Sequence, residues 1–304
     1  MSAAWVAASV RATLLERRRL GARGARALAA TDSASAIRAL ASGPYRDEVT
    51  PTMSVVEAQR AVAASLLWRL RMLAGWVPPG GTSTVQALAA WFEIVNVQER
   101  LAYFAGGPRP ELFRLGRLAV AWPALERATS PDVVRSALAA SRWGDPGGVT
   151  DEAIVNWMRL AWAAWVARSV PAAAGWAEAG RVLLAARLVT AGQVDPNLER
   201  SGGRGLRRGW TGAGSLDVLS GFISQGASSV LEGVAAAEDL WLAEAGWWKR
   251  VSADAARLLV ASRYSPDVVV AAVALSAHDT WLVRAALTAA DGDAVAKETF
   301  AEAA

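Results

Sequence analysis

The sequence predicts an all-α protein made of internally repeated helical bundles, about three related units. Three observations carry that expectation. Helix signals recur along all 304 residues, and no stretch alternates with period two for long enough to make a sheet. Hydrophobic residues make up 53% of the chain and charged residues only 20%, which suits a packed core rather than a disordered chain. Finally, Ser130-Pro131-Asp132-Val133-Val134 returns letter for letter as Ser265-Pro266-Asp267-Val268-Val269, each time opening an Ala-rich stretch expected to form a helix of similar length. A looser third copy stands at 33–40, where Ile37-Arg38 takes the place of Val134-Arg135. A unit used three times makes a scaffold, because each copy buries its neighbour's apolar face. The expected organisation is a first helical unit at 1–107, a second at 108–192, a Gly/Arg-rich loop at 193–214 and a third unit at 215–304.

The elements follow from local chemistry. The first 30 residues carry Arg11, Arg17, Arg18, Arg19, Arg23 and Arg26 among Leu and Ala, without the apolar block and cleavage site of a secretion signal, and read as a mature cytosolic start. Ser54-x-x-Glu57 is a capping box, and Val55, Val62, Leu66, Leu70 and Leu73 then mark one face of a long helix. Pro78-Pro79-Gly80-Gly81 is expected to end it. Ser83-x-x-Gln86 is expected to cap the next helix, which runs through Trp91 and Val97 to Phe104 and stops at Gly106-Gly107-Pro108. Further helices are expected at 151–170, broken by Pro171, at 172–191, ended by Gly192, and in a series from Ser215 to the C-terminus. Between Gly192 and Gly214 lie seven glycines with Arg200, Arg204, Arg207 and Arg208, which read as a flexible loop or hinge. No apolar run reaches about 18 uncharged residues, since 153–167 contains Arg159 and 268–277 is short, so no membrane span is expected.

Reactive constellations are missing. With no cysteine, disulfides, thiolate metal sites and thiol nucleophiles are excluded. The sole histidine, His278, has no partner for a metal cluster or a nucleophile pair, and no Gly-x-Ser-x-Gly elbow exists. Neither lysine, Lys249 nor Lys297, follows a glycine as a phosphate loop requires, and Gly203-x-Gly205-x-x-x-Gly209 misses the dinucleotide spacing. No cofactor, no metal and no catalytic residue is therefore expected. Fifteen tryptophans, with Trp157, Trp162 and Trp165 on one helix and Trp241, Trp247 and Trp248 on another, serve as core or as interface anchors.

One pattern resembles a known family. Trp5-Val6-Ala7-Ala8-Ser9-Val10-Arg11 leads through Leu14-Leu15 to Ile37-x-x-Leu40 and Gly43-Pro44-Tyr45. Glu93, Asn96 and Arg100 share a helix that closes at Gly106, followed by Leu115-Gly116, while Asp279 and Arg284 share a helix that closes at Gly292. A middle copy, Glu178 through Arg187 to Gly192, fits less well, and Leu282 stands where the last unit lacks its Asn. This layout resembles the C/d family of central-stalk proteins in V/A-type rotary ATPases, named C in bacteria and archaea and d in eukaryotes. The resemblance implies a funnel of three similar bundles seated on the membrane proteolipid ring and receiving the foot of the central shaft. It implies torque transmission without nucleotide binding or catalysis, and a peripheral position on the cytoplasmic face of the membrane.

Read from the residues alone, Glu93 and Arg100 are two turns apart and share a face, for packing or for solvation. The arginines at 200, 204, 207 and 208 either solvate a surface connection or contact an acidic partner, phospholipid headgroups or nucleic acid. A basic nucleic-acid-binding protein is the competing class, motivated by the pI of about 10.1 and Arg17-Arg18-Arg19, though no recognition motif accompanies them. A helical scaffold or adaptor outside the ATPase is the other alternative.

Overall fold

Local signals set most helix ends in the computed structural model, which describes residues 3–292 and 294–304. Fourteen α-helices lie among these residues and no strand; a lone antiparallel bridge joins Leu206 and Ile223. In chain order they begin with α1 (Ala3–Glu16), α2 (Gly21–Ala29), α3 (Ser33–Ser42) and α4 (Val55–Trp76). Then come α5 (Pro79–Ala89), α6 (Trp91–Phe104), α7 (Trp122–Leu125), α8 (Pro131–Ala139), α9 (Asp151–Ser169) and α10 (Ala174–Thr190). The series ends with α11 (Leu216–Ser220), α12 (Leu240–Ala261), α13 (Pro266–Asp291) and α14 (Ala294–Ala303).

Two compact units result. The first combines both ends of the chain, Met1–Gly81 and Trp248–Ala304; the second is Thr82–Trp247. This division differs from consecutive segments meeting at 107, 192 and 214, because α13 packs against α1, α2 and α4 and so ties the C-terminal part to the N-terminal part.

In the first unit, the Ser54 capping box forms in full: the Ser54 amide donates to Glu57 at 2.7 Å and the Glu57 amide to Ser54 Oγ at 3.3 Å. Its helix α4 buries Ala58, Val62, Leu70 and Leu73 at three- to eight-residue intervals, one face of a helix. The core gathers Ala36, Ile37, Leu40, Val62, Leu282, Ala286 and Leu287 from α3, α4 and α13. α13 is long and apolar enough to cross a membrane, but 72% of its most apolar window is buried, which makes it the central core helix of this unit. The expectation for 268–277 as a short run is thereby corrected: the apolar stretch continues past His278 and Asp279, polar residues that the interior accommodates.

The matching Ser-Pro-Asp-Val-Val segments both start helices, with Ser130 Oγ accepting from the Val133 amide and Ser265 Oγ from the Asp267 amide. The helices are not of similar length: α8 has 9 residues and α13 has 26. The shared letters are a helix-start signature, a capping serine with proline in the first turn, and the signature says nothing of how far the helix runs. The looser copy is also shifted, because α3 is capped by Asp32, which accepts from the Ser35 amide at 2.8 Å, and not by Ser33.

Between α4 and α6, Pro78-Pro79-Gly80-Gly81 does not separate two helices by a loop. Pro79 opens α5, placing Ser83 inside the helix rather than at its cap, and the break comes at Ala90. Proline at a first helical position loses nothing, since that N–H has no intrahelical partner. In the second unit, α6 ends as its glycines require: Gly106 adopts φ +94° and the Gly107 amide returns to the Ala102 carbonyl at 2.9 Å. α9 and α10 pack side by side, with Thr150 capping α9 and Pro171 separating them. The segment after Ser215 departs from the expected helical series: only α11 and short 3-10 turns occur before Leu240. Glycines at 221, 226 and 233 withhold helix propensity there.

Candidate functional site

α6 presents Glu93, Asn96 and Arg100 on one face, three and seven residues apart. Glu93 and Arg100 do not pair with each other. All three instead hold the irregular segment that follows. Asn96 makes a two-way clamp on Phe113, its amide donating to the Phe113 carbonyl at 2.8 Å and its oxygen accepting from the Phe113 N–H at 2.7 Å. Glu93, 0% exposed, accepts from the Val120 amide at 2.7 Å, the Ala121 amide at 2.8 Å and the Trp143 indole N–H at 2.7 Å. Burial pushes the Glu93 carboxyl above its ordinary range, against the pull of these donors. Arg100 donates to the Ala128 carbonyl and lies 5.1 Å over the Phe104 ring. The triplet thus straps 113–128 to one helix.

In the first unit, Asp279 of α13 does similar work. Also 0% exposed, it accepts from the Leu20 amide at 3.1 Å and the Gly21 amide at 2.7 Å, the entry of α2, and from the Tyr45 hydroxyl at 2.8 Å. The buried Arg69 guanidinium lies 5.7 Å over the Tyr45 ring. Burial, and next the Asp279 charge, raise the Tyr45 hydroxyl far above its ordinary value. Arg284 stands apart from this cluster: it is exposed, and its carbonyl accepts from the Gln59 amide at 3.1 Å. Five residues after Asp279 is a different face from seven residues after Glu93, and the position seven residues on is the buried Ala286.

His278, beside Asp279, is sandwiched at 5.7 Å from Trp248 and 6.1 Å from Trp281 with ring planes within about 21°. Burial lowers its pKa to about 4, partly opposed by Asp279 and reinforced by Arg19. It is a neutral stacking element.

The Gly/Arg-rich stretch is folded rather than a loose hinge. Leu198, Leu206 and Trp210 are buried, and 3-10 turns form at Pro196–Ser201 and Trp210–Gly212. Glu199 fastens it by accepting from the Gly209 amide and, at 3.2 Å, from Thr211 Oγ1. Two glycines are required by close approach: a Cβ at Gly203 (φ +99°) would sit 2.8 Å from Ala164 Cβ, and one at Gly205 (φ +95°) 2.8 Å from the Glu178 carbonyl. Sequence spacing emphasises Glu178 and Arg187 on α10, yet the working residue there is Arg181. It is 2% exposed and donates to the carbonyls of Gly203 (3.1 Å) and Arg204 (3.4 Å) and to Ser201 Oγ (3.2 Å).

Around this stretch opens a cavity of about 480 Å³, lined by Arg181, Arg200, Arg207, Arg208, Glu199 and Trp210 among others. Arg200 donates to the Asp145 carbonyl at 3.1 Å and Arg207 to the Gly221 carbonyl; Arg204 and Arg208 are exposed, and Arg204 is not part of the lining. Trp143, Tyr45 and Arg181 are invisible as partners in the sequence, because each contact joins residues far apart in the chain. The one available signal is the polar residue in an otherwise apolar helix. No family model and no curated protein matches the chain, so its function is argued from this geometry.

Proposed function

We propose that the chain is a non-catalytic helical adaptor, the central-stalk connector of a V/A-type rotary ATPase, bound peripherally to the membrane and linking the shaft to the proteolipid ring. The observation that carries this reading is the likeness of Glu93 and Asp279. Each is a buried acid 13 residues before a helix-terminal glycine, Gly106 or Gly292. Each receives two consecutive backbone N–H groups and one aromatic donor. The spacing of the partners recurs as well: the Asp32 cap of α3 precedes Tyr45 by 13 residues, and the Ser130 cap of α8 precedes Trp143 by 13. Arg181 makes a comparable tie with reversed polarity, giving hydrogen bonds to carbonyls. This recurrence supports the internally repeated unit on which the resemblance rests.

The chemistry of the acids also favours a structural role. Their oxygens are engaged by backbone and aromatic donors, so neither carboxylate is poised to shuttle a proton to a ligand. An adaptor further needs an apolar contact surface. In the first unit Val10, Leu14, Leu259, Val260, Tyr264 and Val268 line an open groove of about 430 Å³, and Val260 is 83% exposed. Grouped exposed apolar side chains of this kind mark protein contacts.

The test is affinity capture of the tagged protein from gently solubilised membranes of its source, followed by mass spectrometry. Proteolipid and shaft proteins are expected, and Val260→Asp should reduce their recovery at least tenfold while leaving the melting temperature unchanged. Recovery of soluble proteins or nucleic acid alone would discard the rotary reading and leave the helical adaptor.

A further inference from the structure

The cavity in the second unit combines three features that its neighbours do not explain. It is cationic: Arg181, Arg200, Arg207 and Arg208 line it, against the single acid Glu199, whose two oxygens are taken by Gly209 and Thr211. It is lined by two buried donors without partners, Arg181 Nε and Trp210 Nε1, in residues that are 2% and 1% exposed. Buried N–H groups are almost always satisfied, and an orphaned pair facing one space calls for an acceptor there. The space itself, about 480 Å³, is of the size that holds a small molecule.

Arg181 adds a charge consideration. Its guanidinium is buried without a carboxylate partner, bonded to Gly203, Arg204 and Ser201. Burial, and next the neighbouring Arg168, depress its pKa to about 10, which reports an uncompensated cation. The ligand that answers all of this is an acceptor-only group with several oxygens and at least two negative charges. Guanidinium forks match such a group bidentately, and a phosphate satisfies several donors at once where a carboxylate offers two oxygens.

We propose that this cavity is an oxyanion site that takes a phosphate or phosphate-monoester group, held by Arg181, Arg200, Arg207 and Arg208 with the Trp210 indole N–H as a further donor. Arg208 is exposed and supplies charge at the mouth; Arg181 and Trp210 supply donors at the wall. The site is independent of the rotary reading, since it is formed by one unit of the chain.

Calorimetric titration of the isolated protein with inorganic phosphate and pyrophosphate, against chloride at matched ionic strength, tests it. Saturable binding is expected, at least tenfold weaker in Arg208→Glu and in Trp210→Phe. The first changes an exposed side chain and the second keeps an aromatic ring in the core, so both variants should melt like the wild type without ligand; Arg181→Met is avoided because its three bonds hold the fold. Flotation with phosphatidic acid vesicles, with phosphatidylcholine as control, separates the sources of the phosphate. Titration without flotation identifies a soluble phosphorylated ligand, and flotation displaced by pyrophosphate identifies a headgroup. Absence of both, or binding unchanged in the two variants, overturns the proposal.

Discussion

Tyr45 donates its hydroxyl to the Asp279 carboxylate at 2.8 Å across 234 residues of sequence, in a pocket where both side chains are fully buried. Together with the Leu20 and Gly21 amides, this contact fixes the entry of α2 and the end of the α3 segment to the central helix α13. Asp279→Ala strands all three donors and should cost about 3 to 5 kcal/mol, whereas Tyr45→Phe removes one bond and should cost about 1 to 2 kcal/mol. Urea unfolding of the two variants and the double variant measures this. A loss below about 1 kcal/mol for Asp279→Ala would show that the carboxylate is dispensable.

Glu93 holds two amides of the segment before α7 together with the Trp143 indole. Glu93→Gln retains one oxygen acceptor but turns an NH2 group toward a donor, so it should be destabilising by about 2 kcal/mol, with Glu93→Ala worse at about 3 to 4 kcal/mol. The local signature is faster hydrogen exchange at Val120 and Ala121 than at the mid-α9 amides. Unchanged protection of those two amides would contradict the strap.

The His278 pKa of about 4 lies below its ordinary 6.5, so the unfolded chain binds the proton first as pH falls. Its contribution is therefore fully present above pH 6.5 and lost as pH drops from 6.5 to 4, by about 3 kcal/mol in total. His278→Phe keeps a ring between Trp248 and Trp281 and removes the titration. The stability of the variant relative to wild type should rise by about that amount between pH 7 and pH 4. A constant difference across this range would mean that His278 titrates alike in both states.

The helical class and most helix ends are legible in the sequence because they rest on short-range chemistry: the Ser54 and Glu57 box, the Gly106 terminus and the Pro171 break lie within a few residues of what they control. The Pro79 start of α5 is ambiguous there because proline marks both the end of one helix and the first turn of the next. Glu93, Asn96, Arg100 and Asp279 stand out as unusual polar residues in apolar helices, but their partners do not, since Trp143, Phe113 and Tyr45 come from other elements. The fold of the Gly/Arg-rich stretch is hidden for a related reason. Its composition reads as solvated chain, and only Trp210, Leu206 and the arginine on α10 reveal that it is packed.

A chain that mechanically joins a shaft to an ion-carrying ring must be needed for coupling and not for hydrolysis, and ATP-driven ion uptake by membrane vesicles of a deletion strain separates the two. ATP hydrolysis should persist while ion uptake is lost, and adding back the purified protein should restore uptake. Uptake equal to that of the parent strain, with the protein absent, would contradict the adaptor role.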